Sequence, residues 1–394
     1  PHVSSAAVSL LAPVGASRDP DGAEGAASVA SEWLLRGAGD RDTRALNDAL
    51  DALGCQHSEH ARSADLHVTA AQLGRNLPQV LALLSDIFRR PRLADENFGP
   101  CRDLAMQDLA SLEDAPARKC NLLLKERFFP YPLGRITYGR TDSLAAMTAG
   151  AVREHVRSCL TARGSILAAA GNIDWPAFCT EAEKCFGDWS GDALPDVSVR
   201  PPAGGFTHVK KDSAQTHIAL AQQSPTLTHP LYYPARVAET VLSGGMSGRL
   251  FTEVREKRGL VYHVSSRYGK LKGHAGLFTY AGTRPEVAQE TYDVTVGELR
   301  RLAEGVSADE LTRAKTQLKS ALVMQGQSTT ARSTALADDW RHLGRPRTLD
   351  EICDAADAVT AAQVAECLKE FPAENLTVLV IGPEPVDVST KDAS

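Results

Sequence analysis

The chain has 394 residues, 43% hydrophobic and 23% charged, a balance that suits a globular protein whose core is divided between two domains of about 200 residues. A formal net charge of −6, with no dense Lys/Arg run, supplies no general field for a polyanion, so nucleic acid is not an expected partner. No stretch approaches the roughly 20 consecutive apolar residues needed to cross a bilayer as a helix.

The first residues, Pro1 to Leu11, lack a charged start followed by a long apolar run and do not read as a signal peptide. A chain opening at Pro1 rather than Met points to a trimmed start, with room ahead of it for a targeting segment or a first β-strand, which leaves the compartment open. Leu46, Leu50 and Leu53 recur at helical spacing up to Gly54, and Leu66, Val68 and Ala70 alternate as in a strand. A longer helix follows, entered through Asn76 and Pro78, with Leu77, Val80, Leu81, Leu84, Ile87 and Phe88 on one face. Thr148 caps the next helix, and the strand Ser165–Ala170 ends at Gly171. Pro195 to Gly205, with Pro201-Pro202 and Gly204-Gly205, is the best linker. Beyond it, strands near Val261–Arg267 and Ala275–Thr283 precede a helix beginning near Pro285. Thr360 then caps a helix, and the strand Leu376–Ile381 ends at Gly382.

The two halves share an order of signals. Thr148 to Thr360 and Ile166 to Val378 are both separated by 212 residues, one domain length. Strand pairs followed by helices suggest an α+β fold of two homologous domains, 1–195 and 206–394, each a mainly antiparallel sheet with helices packed on one face. Eight scattered cysteines without a CxxC pair read as buried or free thiols and point to a reducing compartment such as the cytoplasm. His57-Ser58-Glu59-His60 invites a metal assignment. In a strand, however, His57 and Glu59 share a face and His60 points away, so an exposed strand edge is the expectation.

The segment Gly25-Ala26-Ala27-Ser28-Val29-Ala30-Ser31-Glu32-Trp33-Leu34-Leu35-Arg36-Gly37, with Val14-Gly15-Ala16-Ser17-Arg18 before it and Leu53-Gly54 after it, resembles the HxxEH helix region of the insulinase and mitochondrial-processing-peptidase family of zinc peptidases. The resemblance runs through nearly the whole chain. Aligned on Gly37, it puts Ser28 and Glu32 where the family has zinc-binding histidines, Ser31 at the water-activating glutamate, and Asp108 at the third ligand. Catalytic zinc needs three good protein ligands and an open position for water. A serine hydroxyl with two carboxylates and no imidazole does not supply them, and Ser31 cannot serve as the base. The expectation is an ordinary amphipathic helix with Val29, Ala30, Trp33 and Leu34 facing the core. Glu32 and Asp108 could at most hold a hard cation weakly.

A second signature survives. Val241 to Phe251, followed by Val254-Arg255-Glu256-Lys257-Arg258-Gly259-Leu260-Val261-Tyr262, resembles the family segment whose Arg and Tyr, seven residues apart, reach the peptidase cleft. Here they are Arg255 and Tyr262. Both side chains donate hydrogen bonds suited to peptide carbonyls or a developing oxyanion. The bland alternative has Arg255 in an intramolecular ion pair and Tyr262 in the core. Arg249 is assigned no chemical role. The resemblance implies a non-catalytic subunit that is not a peptidase by itself and holds no metal. It would close the chamber of a heterodimer, bind peptide through Arg255 and Tyr262, and leave zinc to a homologous partner. A structural subunit of the same fold without proteolysis, or a hydrolase with relocated ligands, are the alternatives.

Overall fold

The first strand among the described residues is β1 (Ser5–Ala12). Seven of its eight residues are buried, on both faces of the sheet, so the strand shows no polar–apolar alternation by which a sequence could announce it. The computed structural model describes residues 3–389, so the outermost ends of the two expected domains, 1–2 and 390–394, lie outside the described residues.

The chain forms two compact units. The first comprises residues up to Ser111, Tyr131–Arg200 and Gln325–Pro346, and the second Leu112–Pro130, Pro201–Met324 and the residues from Arg347 on. One crossing falls between Arg200 and Pro201, inside the expected linker, but a single break at 195–205 does not describe the packing. Each unit incorporates one helix encoded in the other half of the chain.

In the first unit, β1 is followed by the short β2 (Gly37–Ala38) and β3 (Arg41–Asp42), then β4 (Gln56–Ala61), β5 (Leu66–Leu73) and β6 (Ile166–Gly171). The main sheet has the order β4-β5-β1-β6, all antiparallel. On one face Ala6, Val8 and Leu10 pack into a core with Val29 and Trp33 of the helix Ala26–Leu34 and Val80, Leu81 and Leu84 of the helix Leu77–Arg89. Each large side chain buried there contributes about 1.5–3 kcal/mol. The reverse face is covered by the helix Thr329–Leu343. Ser9 Oγ lies 3.1 Å from Thr334 Oγ1 of that helix and 3.0 Å from His67 Nε2. Gly171 closes β6 at φ 117°, where a Cβ would stand 2.4 Å from the Ser5 carbonyl oxygen, so only glycine fits.

In the second unit, β7 (Phe206–Lys210), β8 (Thr216–Gln223), β9 (Val261–Leu271), β10 (His274–Thr283) and β11 (Thr377–Gly382) form a sheet of order β7-β11-β8-β10-β9. Only the β7–β11 pairing is parallel. Ile218, Leu220, Val378 and Val380 face the core built with Val237 and Leu242 of the helix Tyr232–Ser243 and Val296 and Leu299 of the helix Ala288–Arg301. On the reverse face, Ala219, Ala221, Leu379 and Ile381 meet Cys120, Leu124 and Phe128 of the helix Pro116–Phe128. Phe128 and Phe278 pack edge to face at 5.2 Å.

The fold is thus α+β, with a main helical layer on one face of each mainly antiparallel sheet and a single helix on the other. The repeat signals hold their expected places. Thr148 accepts a hydrogen bond from the Ala151 amide, and Thr360 forms a capping box with Gln363. The helices that exchange halves begin at Pro116 and Thr329, at nearly the separation of the repeat.

Candidate functional site

The helix Ala26–Leu34 is anchored at both ends by groups other than a metal. Asp19 accepts hydrogen bonds from the amides of Gly25 and Ala27, at 2.8 and 2.9 Å. Toward its other end Trp33 is fully buried, donates from its indole to the Ala94 carbonyl at 3.0 Å and packs on Phe98. Val29, Ala30, Trp33 and Leu34 face the core.

On the opposite side of this helix stand the residues that the resemblance aligns with the family's zinc-site positions. Ser31 is buried and its hydroxyl donates back to the Ser28 carbonyl at 2.7 Å, so it closes a local turn and offers no base. Glu32 is partly buried and lies 3.7 Å from Arg36. Burial raises its carboxyl above the usual range, the nearby Glu59 and Asp108 raise it further, and Arg36 opposes them. The structure therefore brings Asp108 and Glu59 each within electrostatic reach of Glu32. Glu59 shares its strand face with His57, whose ring nitrogen lies 3.4 Å from it, while His60 pairs in register with His67. That Glu59 stands beside Glu32 is not announced by the sequence, because the juxtaposition depends on how β4 lies against the helix.

Among the described residues, no group of three His, Cys, Asp or Glu side chains is arranged to hold a metal ion. The donor set at the positions the resemblance aligns with the zinc ligands also does not fit catalytic zinc: a neutral hydroxyl at Ser28, two carboxylates and no imidazole.

The surviving signature has a different character. Phe251–Glu256 forms a π-helical turn, with the Lys257 amide donating to the Thr252 carbonyl, a local geometry that often accompanies functional sites. Arg255 projects from it, exposed, its guanidinium 5.0 Å from the Phe251 ring centroid and without a carboxylate partner among the described residues. Its neighbours Lys257 and Arg258 pair with Glu253. Tyr262, second residue of β9, is 85% exposed. Neither side chain therefore takes the bland role open to it, of an internal ion pair or of core filling. Arg249 does take that role, holding Glu310 through two hydrogen bonds at 2.7 and 2.9 Å.

Arg255 lines a cleft of about 600 Å³ together with Arg236, Glu239, Met246, Arg267 and Tyr268, between β9, the helix Tyr232–Ser243 and the π-helical turn. Tyr262 stands outside that lining, on the same strand. Sequence reading missed Arg236 and Arg267, because a charged residue on a helix or an edge strand is most often a solvated one.

Comparison with known proteins agrees with this architecture. The family described as insulinase (peptidase family M16) matches residues 1–141, and the peptidase M16 inactive domain matches residues 146–318. A Rickettsia bellii protein described as an uncharacterized zinc protease is 26% identical, over 97% of this chain and 93% of its own. A similarly described Streptomyces coelicolor protein is 28% identical, over 97% and 86%. The solved peptidase M16 inactive domain from Pseudomonas fluorescens superposes with a TM-score of 0.88 at 19% identity, covering 98% of this chain and 95% of its own. A Helicobacter pylori protease superposes equally well, at 16% identity, covering 97% and 95%. With both of its segments matched in sequence and the whole arrangement matched in fold, the chain belongs to the insulinase (M16) family.

Proposed function

We propose that this chain is a non-catalytic subunit of a heterodimeric insulinase-type peptidase, in which a homologous partner bears the zinc and this chain closes the chamber and binds peptide. The observation that carries the reading is the contrast between its two signatures. At the zinc positions the side chains have become a turn-closing serine and a crowded acidic pair. In the other segment Arg255 and Tyr262 remain exposed and uncommitted. Exposed hydrogen-bond donors that no internal partner has claimed are suited to an external acceptor.

In this role Arg255 and Tyr262 donate hydrogen bonds to carbonyl oxygens of a bound peptide, and the guanidinium keeps its charge as negative charge develops on a carbonyl oxygen. The extended peptide pairs its backbone with a sheet edge, which gives affinity with little selectivity for side chains. In the second unit the edge that carries Tyr262 is β9.

The test is reconstitution with the co-purifying homologue that has an intact HxxEH. Arg255→Ala is expected to lower kcat/KM for peptide hydrolysis by about 10²-fold, as for one charged oxyanion donor, and Tyr262→Phe by about tenfold, as for one neutral hydrogen bond. Unchanged hydrolysis in both variants would leave the chain a structural subunit of the fold.

A further inference from the structure

We infer that the cleft beside β9 is a carboxylate-binding subsite that receives the end of an extended peptide. This deepens the peptide-binding role proposed above and rests on it. Three guanidinium groups, of Arg236, Arg255 and Arg267, line the cleft against the single carboxylate of Glu239. That is a local cationic excess in a chain whose net charge is −6.

Neither Arg255 nor Arg267 makes a close ion pair among the described residues, although the Arg267 charge reaches Glu239 through space, and both are exposed. Arg236 lies 3.1 Å from Glu239, but the approach is too poorly aligned for a hydrogen bond, so Arg236 Nε and Glu239 Oε2 are both buried without one. Burial raises the Glu239 carboxyl above its usual range against the opposing pull of Arg236, the Tyr268 amide and Arg267, so one carboxylate faces three guanidinium groups.

The backbone says where a bound strand would stop. β9 is the outer strand of its sheet, paired only with β10. The Ser266 amide donates away from β10 to Ser243 Oγ at 2.9 Å, and the Tyr268 amide to Glu239 Oε1 at 3.0 Å. These two edge positions are occupied by side chains of the helix Tyr232–Ser243. A peptide adding to β9 alongside Val261–Ser265 meets them at Ser266 and cannot continue the ladder. Its end falls beside Arg267, in the cleft with Arg236 and Arg255. A carboxylate suits that position, because planar guanidinium groups bind it with paired, charge-assisted hydrogen bonds.

The carboxylate could be a chain terminus or an acidic side chain near it. Isothermal titration of the full chain with an acetylated Val-Thr-Val-Thr-Ser-Ala hexapeptide separates the two. The probes are its free acid, its C-terminal amide, and the amide with Glu as last residue. The free acid is expected to bind at least about tenfold more tightly than the neutral amide, as for a charge-assisted hydrogen bond. Arg267→Gln should abolish that preference and leave the amide's affinity unchanged, while Arg267→Lys, which keeps the charge but loses the paired geometry, should keep only part of it. Equal recovery by the Glu-terminated amide also supports the subsite and assigns it to side-chain carboxylates. Binding of all three probes with equal affinity, or a preference that survives Arg267→Gln, overturns the subsite and leaves the peptide-binding role standing. No binding of any probe overturns both.

Discussion

Asp65 offers the sharpest test of the exchanged helix that closes the first unit. Its carboxylate is 2% exposed and accepts from Arg62 Nε at 2.7 Å, while Arg341 Nη1 of the helix Thr329–Leu343 lies 2.6 Å from its other oxygen. Burial pushes the Arg341 guanidinium below its ordinary range, so that charge depends on its partner. Asp65→Asn keeps the shape and removes the charge. Arg62 retains Asp338 at 3.1 Å, and the cost therefore falls mainly on Arg341. Breaking a buried pair from one side costs about 3–5 kcal/mol, and the remaining pair at Arg62 puts the expected loss near 3 kcal/mol. All four tryptophans, Trp33, Trp175, Trp189 and Trp340, lie in the first unit, so tryptophan fluorescence during urea unfolding reports on that unit. A loss below about 1 kcal/mol, the size expected of a surface ion pair, would refute a buried network holding this helix.

Two pH dependences follow from perturbed groups. The Arg249 hydrogen bond, followed by the Ser307 amide, holds the Glu310 carboxyl down at about 2 from its ordinary 4.5, against a burial cost. A depressed carboxyl stabilises the fold above its unfolded pKa and loses that contribution as pH falls from about 4.5 through 2. Discounted for solvent around this partly exposed pair, Glu310→Gln should cost about 1 kcal/mol at pH 6 and progressively less toward pH 3, read by circular dichroism in urea. A cost that does not change with pH would contradict it. His155 runs the other way. Burial would lower its imidazole, but the Asp19 carboxylate 3.6 Å from Nε2, then Cys159 Sγ 3.8 Å from Nδ1, lifts it to about 9 from 6.5. Its contribution is complete below pH 6.5 and is lost as pH rises through 9, so the stability gap between wild type and His155→Gln should narrow across that interval. A gap that widens there would reverse the assignment.

Much of this fold is legible in the sequence because it is written in local signals. The Thr148 and Thr360 caps, the apolar stripe from Leu77 to Phe88 and the strands ending at Gly171 and Gly382 each rest on a few neighbouring residues. β1 is hidden because burial on both faces erases its alternation, and that burial depends on a helix some 320 residues later. The same distance conceals the exchange of helices. Pro116–Phe128 shows no sign in its own sequence that its Cys120 and Leu124 pack on β8 and β11. At the candidate sites, Arg255 and Tyr262 are legible through a motif. Arg236 and Arg267 join Arg255 only once the helix Tyr232–Ser243 is laid along β9.

These contacts also explain how the zinc positions could change without loss of the fold. A helix whose placement depends on a metal unfolds with it, since ligand binding free energy is then folding free energy. The helix Ala26–Leu34 depends instead on Asp19 at its first amides and on Trp33 against Phe98 and the Ala94 carbonyl. Ser28 and Ser31 lie between these anchors and neither hydroxyl contributes to them. Arg255 and Tyr262 likewise hold nothing in place, and packing alone gives no reason for an exposed guanidinium and an exposed phenol at that spacing. A purely structural subunit would be free to lose both pairs. The presence of only the second is the asymmetry on which the proposed peptide-binding role rests.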